Sequence, residues 1–108
     1  MEFIINNDKW KIKEVDKQKL TDLYNSQNDE TATYCFGVTI YNEHKILLNS
    51  EMCYQQKIKT LKHELTHCYI WEYGMFNVPN FTEEMVCDLV ASINDFINEV
   101  VNKYFKKQ

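Results

Sequence analysis

The stretch Lys59-Thr-Leu-Lys-His-Glu-Leu-Thr-His67, KTLKHELTH, places two histidines four residues apart, with a glutamate directly after the first. Around it, Ile58, Leu61, Leu65 and Cys68 recur at steps of three, four and three, the stripe of a helix lying against a core. The pattern predicts a helix from about Cys53 to Tyr73, which Gly74 stops. At about 100° per residue, His63 and His67 fall nearly opposite the stripe, so they face something other than the core.

Upstream of this helix the apolar period changes to two. Phe36, Val38 and Ile40 alternate with Cys35, Gly37 and Thr39 between Tyr34 and Tyr41, which predicts a half-buried strand. Ile46-Leu47-Leu48 resumes after Asn42-Glu43-His44, so an antiparallel hairpin is expected just before the helix. Earlier still, Glu2–Ile5 and Lys9–Glu14 flank the turn-forming Asn6-Asn7-Asp8 and read as another hairpin. Asp16 can cap a short helix carrying Leu20, Leu23 and Tyr24, whose pattern ends in Asn25-Ser26-Gln27-Asn28-Asp29.

Downstream, a loop through Pro79 leads to Thr82, a capping hydroxyl, with Glu83 and Glu84 in the favourable first turn of a last helix. Val86, Leu89, Ile93, Ile97, Val100 and Tyr104 make its apolar face. Together these elements predict one α+β domain over residues 1–108, a small twisted antiparallel or mixed sheet packed on the HELTH helix and a long C-terminal helix.

The 108 residues are 44% hydrophobic and 14% aromatic, with two glycines and one proline, the composition of a packed domain. A net charge of −4 argues against a nucleic-acid partner, because phosphate binding needs a clustered basic surface. Lys103, Lys106 and Lys107 read as a solvated helix end. No apolar run approaches the roughly 20 residues of a membrane span. Cys35, Cys53, Cys68 and Cys87 show no paired spacing and no secretory signal is evident, so reduced thiols and a cytoplasmic setting are expected. Cys68 and Cys87 read as small core thiols.

His63 and His67 can share one tetrahedral cation, which is half of a zinc site. Glu64, rotated by about 100°, is poorly placed as a ligand but can reach a water in the metal's open position, as a general base. A catalytic zinc takes three protein ligands. The HExxHxxGxxH arrangement is excluded by Ile70 and Tyr73, and His44 reads as a solvated turn residue. On the last helix Glu84 can ligate while Asp88, one turn on, accepts the outer N–H of a bound histidine. Glu83 is the substitute ligand, and Cys87 and Ala91 are small enough to allow close approach of the two helices. The plain alternative is that Glu83 and Glu84 only stabilise a helix start.

KTLKHELTH followed about seventeen residues later by EMVCDLVA resembles the gluzincin zinc peptidases, in particular the ImmA/IrrE-like metallopeptidases of prophages and mobile elements and the single-domain minigluzincins. The likeness covers residues 34–95. It implies a zincin-like fold, with Zn2+ held by His63, His67 and Glu84, Asp88 behind them, and Glu64 activating water to hydrolyse a peptide bond in a protein or peptide substrate. It also implies a sheet-edge strand that binds extended substrate, and Lys45–Asn49 is the expected strand. Thr66 stands where the family usually has glycine, and an uninterrupted helix replaces the family's C-terminal region with its Leu-Met-Pro ending. An oxyanion donor would come from Tyr54, Tyr69, Tyr73 or His44. The competing expectation is a non-catalytic interaction or regulatory module of a phage or mobile element with a structural or degenerate metal site.

Overall fold

The computed structural model describes residues 1–28, 35–75, 80 and 82–106. Asn6 and Asn7 sit at φ +50° and +67°, a left-handed conformation that asparagine tolerates better than most side chains. Two consecutive positive φ values suit the twist of a tight hairpin. The turn joins β1 (Glu2–Ile5) to β2 (Asp8–Val15), antiparallel, with Phe3 opposite Trp10.

Asp16 caps α1 (Lys17–Asn28), its carboxylate accepting the Lys19 N–H at 2.8 Å. The polar run from Asn25, expected to end the helix, instead continues it to Asn28, and the Ser26 hydroxyl bonds back to the Leu23 carbonyl at 3.0 Å. Local hydrogen bonding substitutes there for apolar periodicity.

β3 (Gly37–Ile40) and β4 (Lys45–Asn49) form the expected antiparallel pair, with Val38 opposite Leu47. The strand is shorter than the alternation suggested. Tyr34 lies outside the described residues, Phe36 is exposed, and Tyr41–Glu43 turn into one 3-10 turn that ends on His44 at φ +53°. Because α1 and β3 intervene, β4 returns parallel to β2, with Ile12 opposite Ile46, and the sheet order is β1-β2-β4-β3.

Both faces of this mixed sheet are covered. Leu20, Val38, Ile40 and Leu47 pack on the α1 side. Ile12, Ile46 and Leu48 pack with Leu61, Leu65 and Cys68 of α2 (Tyr54–Glu72) and with Val100, Val101 and Tyr104 of α3 (Glu83–Lys106) on the other. Covering on two sides explains why Ile46-Leu47-Leu48 is a continuous apolar run and why Thr39, expected on a half-exposed strand, is buried.

The observed α2 matches its predicted span to a residue, and Gly74 follows it at φ +70°. In α3 the Thr82 hydroxyl accepts the Met85 N–H at 3.2 Å, as expected of a cap. Its apolar face is only partly used: Ile93, Val100 and Tyr104 are buried, Leu89 and Ile97 half-buried, and Val86 exposed. The helix outruns what it can pack against, since its 24 residues span about 36 Å at 1.5 Å each. No helix among the described residues is long and apolar enough to cross a membrane.

The two glycines give opposite tests. A Cβ at Gly37 would meet the Thr60 methyl at 2.8 Å, whereas at Gly74 it would meet nothing within 4 Å. Gly37→Ala is expected to cost about 1–3 kcal/mol through overpacking, and Gly74→Ala about 1–2 kcal/mol through backbone strain. In urea denaturation, adding Thr60→Ala should recover part of the first loss and none of the second.

Candidate metal centre

The face of α2 that carries Leu61, Leu65 and Cys68 is sealed against the sheet, which turns His63 and His67 outward. One helical turn apart, their Nε2 atoms stand 3.1 Å from each other, with the rings edge to face at 77°. Two nitrogens bound at about 2.05 Å to one tetrahedral zinc lie about 3.3 Å apart. The imidazoles therefore already hold the spacing of two ligand corners.

Glu64 has a different environment from its neighbours. It is 6% exposed, and its Oε1 accepts the Thr39 hydroxyl at 2.8 Å. Thr39 comes from β3, which passes close to α2 because position 37 has no side chain; a Cβ there would lie 3.2 Å from the Glu64 Cγ. The Thr39 bond fixes one of the two carboxylate oxygens.

Between β3 and α2 runs an open groove of about 720 Å³ lined by Gly37, Thr39, Ile40, Tyr41, His63, Glu64, His67 and Trp71. A neighbouring groove of about 400 Å³ continues past His63 to Cys35 and Phe36. Burial, and secondarily the Glu64 carboxylate, push the Tyr41 phenol up, so it is an O–H donor at neutral pH. The Cys35 thiol is raised mainly by burial as well, and its S–H donates to the Gly37 carbonyl at 3.3 Å.

Strand β3 is an edge of the sheet and lies along the groove. This corrects the expectation for Lys45–Asn49. That strand is β4, which lies between β2 and β3 and has its backbone paired on both sides. The parallel return to β2 was not readable from local periodicity.

The acidic candidates are elsewhere. α3 packs antiparallel along a different flank of α2, with Tyr54 against Phe105 and Tyr69 against Phe96. Glu83, Glu84 and Asp88 are exposed, and Asp88 lines a shallow groove with Tyr69, Tyr73 and Met85. Among the described residues, no third His, Cys, Asp or Glu joins His63 and His67 with its ligand atom within 4.8 Å. The structure brings the two imidazoles and Glu64 to one groove and leaves Glu84 and Asp88 outside it. Cys87 and Ala91 are exposed rather than pressed against α2, and Cys87 is no core thiol, while Cys68 is buried and its thiol strongly raised by that burial.

Tyr54, Tyr69, Tyr73 and His44 do not line the histidine groove, whereas Tyr41 does. Thr39, Gly37 and Tyr41 went unnoticed in the sequence because strand alternation says which face a residue takes but not what crosses above it. His44 is not a solvated turn residue either; it is half-buried against Trp10 and Trp71. No family model matches the chain, and neither does any curated protein or solved structure, so its chemistry is read from the geometry of this groove.

Proposed function

We propose that the chain is a zinc-dependent peptidase of the gluzincin type, with a zincin-like fold, acting on an extended segment of a protein. The observation that supports this best is the imidazole pair at 3.1 Å over a groove whose wall holds a buried, oriented glutamate. His63 and His67 would hold the ion, and a zinc bound there supplies Lewis acidity and an acidified water. Glu64, tethered through Oε1, takes a proton at its other oxygen and returns it to the leaving amine. Tyr41 offers an O–H to the developing oxyanion, and the outer edge of β3 can pair with the substrate backbone.

Glu84 remains the proposed third ligand, with Glu83 as its substitute and Asp88 accepting an outer histidine N–H. All three carboxylates are exposed. No residue of α3 before Ile93 is buried, so drawing its first turns toward the pair would break no core packing. We place the enzyme in a reducing, cytoplasmic setting, in keeping with four free cysteines.

The second reading, an interaction or regulatory module of a phage or mobile element with a degenerate metal site, is favoured by one observation: Glu84 does not join the pair. Metal analysis and peptide cleavage separate the two. For a peptidase, zinc content falls by one ion per chain in His63→Ala or His67→Ala, and Glu84→Ala weakens zinc binding at least tenfold. Cleavage of a peptide library, mapped by mass spectrometry, should fall by about 10²–10⁴-fold in Glu64→Gln with zinc retained. Tyr41→Phe should lower kcat by about 10²-fold with KM little changed. Zinc retained by the parent protein with no cleavage at any zinc loading favours the module.

A further inference from the structure

Trp71 separates the histidine groove from a second constellation on its other side. The ligand atoms of Asp8, His44 and Glu72 all lie within 4.8 Å of one another, the one such group of three among the described residues. They arrive from three elements. Asp8 opens β2 after the Asn6-Asn7 turn, His44 closes the turn between β3 and β4, and Glu72 ends α2.

Two of the three members are held from behind. The Trp10 indole N–H donates to Glu72 Oε2 at 2.7 Å, which fixes that carboxylate and leaves its other oxygen for a second partner. The His44 ring stacks on Trp10 with centroids 4.8 Å apart and 17° between planes, and meets Trp71 edge-on at 5.6 Å. The Asn6 side-chain amide also donates to the Glu72 carbonyl at 3.1 Å, tying the hairpin turn to the helix end.

Asp8 and Glu72 present two carboxyl groups to each other beside one imidazole. Burial holds the Glu72 carboxyl above its ordinary range; the indole bond and His44 oppose the shift, and Asp8 adds to it. One nitrogen and two carboxylate oxygens make a donor set that suits zinc and its neighbours. Around such an ion the donors lie about 3.4 Å apart, so from within 4.8 Å of one another the side-chain ends need close by no more than about 1.4 Å.

We propose that Asp8, His44 and Glu72 form a second site, for one divalent cation such as Zn2+ or Co2+, distinct from the His63 and His67 pair. An ion there ties the β1–β2 turn, the β3–β4 turn and the end of α2 to one point. The site owes nothing to the peptidase reading.

The test uses full-length protein carrying His63→Ala and His67→Ala, stripped with chelator and titrated with Co2+ or Zn2+. Both tryptophans of the chain contact His44, so paramagnetic Co2+ bound there quenches their fluorescence while diamagnetic Zn2+ does not. The expected result is saturable quenching at one Co2+ per chain, competed away by Zn2+. Asp8→Asn and His44→Asn on the same background should each weaken binding at least tenfold; asparagine tolerates the positive φ at position 44, and circular dichroism checks the fold. Quenching that does not saturate overturns the site, as does unchanged affinity in whichever of these variants keeps the parent's dichroism.

Discussion

The close approach of β3 to α2 is the constraint on which the candidate centre depends. A strand and a helix normally keep a side-chain layer between them, and here position 37 contributes none. The missing layer lets Thr39 reach Glu64 and draws that carboxylate out of solvent, while His63 and His67 stay exposed. Burial with a single strong hydrogen bond is how a carboxylate is kept oriented without being neutralised by an ion pair.

The same packing explains why the paired imidazoles are accessible. The apolar stripe of α2 must be buried under the sheet, and α3 then takes the flank that carries Tyr54 and Tyr69. The side left over bears His63 and His67. α3 is too long for the layer it covers, and its first turns, with Glu84 and Asp88, extend past the buried part of the interface. On these turns Val86 and Val90 are exposed, while Met85 and Leu89 are half-buried beside Tyr69 and Tyr73.

Trp10 and Trp71 organise the opposite end of α2. Trp10 is wholly buried, yet its indole N–H finds the Glu72 carboxylate and its ring face carries His44. Large aromatic residues with one polar handle are suited to this, since they fill the core and still orient a charged neighbour at its border. The turns on either side use left-handed residues, Asn6, Asn7 and His44, so the backbone reverses sharply enough to bring Asp8 and His44 over the end of the helix.

Periodicity and capping chemistry alone determined much of this protein: the hairpin turn at Asn6-Asn7, the β3–β4 pair, the span of α2 and the side of it that His63 and His67 occupy. These are legible because they depend on residues within a few positions of one another. Only tertiary structure decided that β4 lies inside the sheet and β3 at its edge, that Thr39 rather than solvent meets Glu64, and that His44 is stacked on tryptophan. Those outcomes turn on pairings between segments tens of residues apart, whose energies come from burying surfaces against each other. No window of sequence contains both surfaces at once.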